Sequence, residues 1–113
     1  MKFIKDRPIY LQISDDLCDK ILCRNWKPGD RIPSVRDIAA VFQVNPNTMM
    51  RAYAFLQQKG IIAIRRGIGF FVSEYAYAYA TDLRRDDFLN RDLPRFFSTL
   101  RSLNLNLDDL KNR

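Results

Sequence analysis

Arg36, the run Asn45-Pro46-Asn47-Thr48, the pair Met50-Arg51 and the tripeptide Arg65-Arg66-Gly67 are the residues of this chain whose types and spacing suggest chemistry. What most of them share is hydrogen-bond donors. Guanidinium forks match phosphate oxygens and guanine edges, while amide and hydroxyl groups match other base edges. That set suits recognition of an anionic polymer better than the making or breaking of bonds.

The usual parts for bond chemistry are missing. The chain has no histidine, the commonest general base and metal ligand. Cys18 and Cys23 stand five apart, which fits no CxxC metal or redox pattern and points them in different directions on a helix. They read as buried or half-buried free thiols, suited to a reducing compartment. Gly67 and Gly69 form a GxG after a strand, but no helix follows, so this is no dinucleotide fingerprint. No catalytic residue, metal or cofactor is expected.

Composition agrees. The chain has 113 residues, 47% of them apolar, and a formal net charge of +6. From Arg24 to Ser73 stand eight Lys or Arg against two Asp, so the positive excess sits around the candidate residues. The length suits one small domain with an appendage and leaves little core to spare. MKFIKDRPIY holds no signal-peptide core, and no 18-residue apolar stretch offers a membrane span, so a cytoplasmic protein without membrane contact is expected.

Three helices and a hairpin must position these residues. A first helix starts near Pro8, buries Tyr10, Ile13, Leu17 and Ile21, and ends near Arg24–Trp26, with Trp26 read as a core residue. Ser34 opens a second helix in a Ser-x-x-Asp capping pattern with Asp37. Val35, Ile38, Ala39 and Phe42 face inward there, and Arg36 reaches outward. Gln43-Val44 make the turn. Asn45 caps a third helix, with Pro46 as its first residue and Gly60 as its stop. Met49, Ala52 and Leu56 line its inner face with Tyr53 at the edge. Asn47, Met50, Arg51 and Ala54 point away, and Thr48 lies at the border. Ile61–Ile64 and Phe70–Val72 read as two strands around the tip Arg65–Gly69, whose arginines can bind phosphate or enter a minor groove.

The rest differs in character. Tyr75–Ala80 (YAYAYA) extends the second strand, links, or begins a helix, and sequence leaves the three open. Leu89, Leu93, Phe96, Leu100 and Leu103 are spaced 4-3-4-3, with Phe88 and Phe97 widening the stripe. Such a stripe folds back on its own domain or, the preferred reading, pairs with a second copy. Pro94 either kinks this helix or sits in the first turn of a new one. Asn106 caps a last short helix around Leu107–Leu110. The fold class expected is mainly α with a small β-hairpin: a winged helix-turn-helix DNA-binding domain over 1–75 and a short helical dimerisation tail over 76–113.

LCDKILCRNWKPGDRIPSVRDIA, VNPNTMMRAYAFLQQKG and RRGIGFFV closely resemble the DNA-binding domain of the GntR family of bacterial transcription regulators, over residues 8–73. The VNPNT turn and the short tail resemble its YtrA-like subfamily, whose tails are helical, dimerise, and lack a large effector domain. The resemblance implies that Arg36 is the operator-contacting arginine of a PSxR motif. It implies that Asn47 and Thr48 reach DNA early in the recognition helix, and that Arg66-Gly67 enter the minor groove. Pro46 and Met50 depart from other branches, which place guanine-reading arginines there. The DNA-binding set is thus Arg36, Asn45, Asn47, Thr48, Met50, Arg51, Arg65, Arg66 and Gly67. The dimerisation set is Leu89, Leu93, Phe96, Phe97, Leu100 and Leu103.

The function expected is a homodimeric regulator, a repressor, of a pseudo-palindromic double-stranded operator. The alternative is a winged-helix module for protein–protein contact without specific DNA readout. The sequence does not tell whether a small-molecule effector exists. Residues 76–113 are too few to enclose a drug-sized ligand of about 300–1,000 Å³, so any effector is expected at the dimer interface, between the two tails, or control comes through protein amount or operator competition.

Overall fold

A computed structural model describes residues 7–111. The first six residues, part of the segment read above as free of a signal-peptide core, and the last two lie outside the described residues. The chain divides into two compact units, one ending at Asp82 and the other starting at Leu83.

The first unit begins with α1 (Ile9–Leu22). Its apolar positions recur each turn, so Ile13, Leu17 and Ile21 are buried, while Tyr10 is half-buried with its ring edge toward Phe55. The helix ends at Leu22, short of the expected Arg24–Trp26, because Arg24 turns left-handed (φ 65°) and redirects the chain. Trp26 is half-buried beside the Lys20 ammonium rather than in the core. Cys18 is buried, and Cys23 is exposed, at the helix end where the stripe has run out. Arg7 pairs with Asp15.

α2 (Val35–Phe42) starts where the Ser34 hydroxyl accepts the Asp37 N–H at 3.1 Å. It ends at Gln43 in the left-handed region, φ 57°. α3 (Pro46–Gln58) starts three residues later, and Asn45 Oδ1 accepts the Asn47 N–H at 2.7 Å. A satisfied cap and a φ-restricted proline leave that helix start few alternatives. α3 packs on both α1 and α2. Met49, Ala52, Tyr53 and Leu56 are buried. Tyr53, placed at the edge by its spacing, is fully buried, and its hydroxyl donates to the Pro33 carbonyl at 2.7 Å. Burial pushes its phenol above the ordinary range.

β1 (Ile62–Arg65) and β2 (Gly69–Val72) pair antiparallel, from Ile62 opposite Val72 to Arg65 opposite Gly69. Residues 29–32 run along the other edge of β2: Val72 N–H donates to Asp30 O at 2.9 Å and Ile32 N–H to Phe70 O at 3.0 Å. Phe70 meets the Tyr53 ring edge-on at 4.9 Å, which ties the wing to α3. α4 (Ala76–Asp87) resolves the YAYAYA stretch as helix. Ala76 and Ala80, one turn apart, are buried. Tyr77 lies under the Arg24 guanidinium at 3.7 Å. Tyr79 covers Gly60, whose φ of +77° and missing Cβ leave room for the ring.

In the second unit, a π-helical turn (Phe88–Asp92) leads into α5 (Leu93–Ser102), with Pro94 in its first turn. Proline has no N–H for the ladder, which is where a widened turn is tolerated. Leu100 is buried and Leu93 half-buried, whereas Leu89, Phe96, Phe97 and Leu103 are exposed. A short 3-10 helix (Leu107–Leu110) closes the unit through a reciprocal cap: Asp109 N–H donates to Asn106 Oδ1 at 3.1 Å, and Asn106 N–H to Asp109 Oδ2 at 2.8 Å. The architecture is mainly α with a small β-hairpin, a winged helix-turn-helix followed by a helical region.

Candidate nucleic-acid interface

Local folding decides where each candidate side chain stands. The Ser34 cap sets the first turn of α2 and turns Arg36 outward, where it is exposed. Burial of Met49, Ala52, Tyr53 and Leu56 turns Asn47, Met50, Arg51 and Ala54 to the opposite, exposed side of α3. Thr48 is half-buried at the border. Asn45 is exposed, with its side-chain oxygen committed to the cap and its amide NH₂ facing out of that bond. Arg51 lies over the Tyr10 ring at 4.3 Å, so its planar fork is held against α1 rather than swinging freely.

The wing tip is equally constrained. Ile68 N–H donates to Arg65 O at 3.0 Å, and Gly67 takes φ +75°, a conformation that a Cβ disfavours. Arg66 is exposed at this turn. Arg65 lies over the Phe71 ring at 4.4 Å on the strand behind it.

Between α2, α3 and the wing runs an open groove of about 360 Å³, lined among others by Arg36, Met50, Ile68, Gly69 and Arg31. It joins Arg36 and Met50, whose proximity sequence spacing does not dictate. Asn47, Thr48, Arg51 and Arg66 stand outside the groove lining. Arg31 and Ile68 belong to the groove without having been singled out in sequence. The available signal was the Arg31-Ile32-Pro33 order: a residue before proline is biased to extended backbone, so the side chains before it alternate across a strand. Among the described residues, no ion pair or hydrogen bond engages the guanidinium groups of Arg31, Arg36 and Arg66. Unneutralised forks beside a helix face with amide, hydroxyl and thioether groups can bind a phosphate backbone and touch base edges in a groove. No group of His, Cys, Asp and Glu suited to a metal ion occurs among the described residues. No described helix is long and apolar enough to cross a membrane.

Comparison with known proteins adds an independent line. Residues 9–72 match the family model for bacterial regulatory proteins, gntR family. The chain is 35% identical over 109 residues to the uncharacterised HTH-type transcriptional regulator YhcF of Bacillus subtilis, covering 96% of this chain and 88% of that protein. It is 45% identical over 69 residues to the HTH-type transcriptional repressor YtrA of Bacillus subtilis, covering 61% of this chain and 53% of that protein. The solved structure of a GntR family transcriptional regulator from Listeria monocytogenes is similar at 31% identity and a TM-score of 0.74, over 96% of this chain and 93% of that one.

Proposed function

This chain belongs to the GntR family of DNA-binding bacterial transcription regulators, a family of regulators and not of enzymes, and on that premise we propose that it is a repressor binding a pseudo-palindromic operator as a homodimer. The observation that carries the reading is the shared groove. It sets Arg36 of α2, Met50 of α3 and the base of the wing side by side, as a helix entering a major groove with a wing on the adjacent backbone requires. In this reading Asn47, Thr48 and Met50 touch base edges. Arg36 and Arg51 hold phosphates beside them, and Asn45 starts the helix and offers its NH₂ to the backbone. Arg65, Arg66 and Gly67 bring the wing to the minor groove.

Residues 1–75 carry the DNA binding and 76–113 the pairing of copies. Leu89, Leu93, Phe96, Phe97, Leu100 and Leu103 form the pairing surface, supported by how much apolar side chain Leu89, Phe96 and Leu103 leave open. A repressing role is supported by the likeness to YtrA, which is named a repressor. The place of action is the cytoplasm, where the chromosome lies.

Selection of bound fragments from genomic DNA, followed by titration of the recovered duplex and a scrambled one, tests the proposal. About six phosphate contacts would lower affinity by about 10³–10⁵ between about 50 and 200 mM salt. Preference for the recovered duplex at physiological salt is the expected result. Equal affinity for both duplexes would sink specific readout and favour a protein partner for the basic face.

A further inference from the structure

Arg31 lies in the extended segment that covers the outer edge of β2. It forms an isolated antiparallel bridge with Phe71, and the hydrogen bonds on either side, Val72 N–H to Asp30 O at 2.9 Å and Ile32 N–H to Phe70 O at 3.0 Å, fix its backbone. Its side chain then runs beside Gly69. A Cβ added at Gly69 would stand 3.3 Å from Arg31 Nε, 3.5 Å from Nη2 and 3.7 Å from Cζ, so the guanidinium rests against the bare glycine backbone. Gly69 itself has φ +140°, which a residue with a side chain rarely adopts.

The fork so placed lines the groove that also holds Arg36, Met50 and Ile68. It is exposed, and among the described residues no carboxylate or other acceptor engages it. Resting on the DNA-binding reading above, we propose that Arg31 is a further DNA contact, a phosphate clamp at the base of the wing that works beside Arg36. The reasons are geometric. The stem starts from a strand hydrogen-bonded on both sides of the residue, the fork carries a full charge with nothing to neutralise it, and it opens where the backbone between helix and wing contacts would pass. Arginine in such a place positions the duplex and reads no base.

The test compares wild type, Arg31→Gln and Arg31→Lys in the full chain by fluorescence anisotropy, on the selected duplex and on a scrambled one, from about 50 to 200 mM salt. Arg31→Gln is expected to weaken both duplexes by a similar factor, about tenfold, and to make the log affinity–log salt slope shallower by about 0.9. Arg31→Lys, which keeps the charge, should restore the slope. Thermal melting followed by circular dichroism should be unchanged in both variants. Wild-type affinity and slope in Arg31→Gln would overturn the proposal. So would a loss confined to the selected duplex, or a loss that Lys does not rescue and that tracks a lowered melting temperature. If the wild-type chain itself prefers neither duplex, the operator reading fails, while a shallower slope in Arg31→Gln still supports the contact.

Discussion

Removing one oxygen, in Tyr53→Phe, should destabilise this protein at neutral pH and cost nothing in strong alkali. The Tyr53 ring is fully buried and meets Phe70 edge-on at 4.9 Å, and phenylalanine keeps that packing. What disappears is the 2.7 Å hydrogen bond to the Pro33 carbonyl. The bond joins a buried hydroxyl to the carbonyl of an exposed residue, and its loss is set at the ordinary net value of about 1 kcal/mol. For a domain of this size that lowers Tm by about 4–8 °C. Alkali reverses the balance. Burial holds the folded phenol neutral above its ordinary value of 10.0. The unfolded chain therefore ionises first as pH rises, so the contribution of this group is fully present below about pH 10 and is lost above it, by about 1.4 kcal/mol per pH unit. Phenylalanine has no such loss, and the two stability curves should meet within about one pH unit above 10. Denaturant unfolding at one fixed protein concentration, at pH 8 and in steps above pH 10, measures both effects. Equal stability at pH 8 would refute the hydrogen bond as a net contributor. A gap that stays constant through the alkaline range would refute the burial argument.

Asn45→Ala removes the side-chain acceptor for the Asn47 N–H and should cost about 1 kcal/mol. Asn45→Asp should keep that stability, and comparison of the two melting curves decides whether the cap acts as described. Phe96→Asp places a charge in the exposed apolar set of α5 and should convert homodimer to monomer in sedimentation. A variant that remains dimeric would move the interface elsewhere.

The parts of the fold that sequence made legible are those that local chemistry settles. Ser34, Asn45-Pro46 and Asn106 each start a helix with their own side chain, and the structure has all three starts where the caps stand. Gly67 sits in the turn that its φ requires. The less legible parts depend on distant residues. Nothing in Tyr75–Ala80 distinguishes strand from helix, until Ala76 and Ala80, one helical turn apart, are buried together. Tyr53 belongs in the core because of a carbonyl twenty residues earlier, a partner that no helical spacing reveals. The 4-3-4-3 stripe leaves open whether Pro94 kinks one helix or starts another; the structure has it in the first turn of α5, behind a π-helical turn that changes the register between Leu89 and Leu93. On the candidate interface, the outward face of α3 followed from its buried face. The approach of Arg36, Met50 and the wing did not, because it comes from how β2 is held by residues 29–32.

The side chains on that face are arginine, asparagine, threonine and methionine, with glycine backbone at the wing. The whole chain has no histidine, the residue that most often switches charge near neutral pH. A grip built this way has no imidazole through which a fall in pH could loosen it. Among the described residues lysine is also absent from the face, so acetylation, which discharges lysines on many DNA-binding surfaces, has no substrate among them. What remains as a direct control on the contact is ionic strength, together with the competition of other anions for the same guanidinium forks.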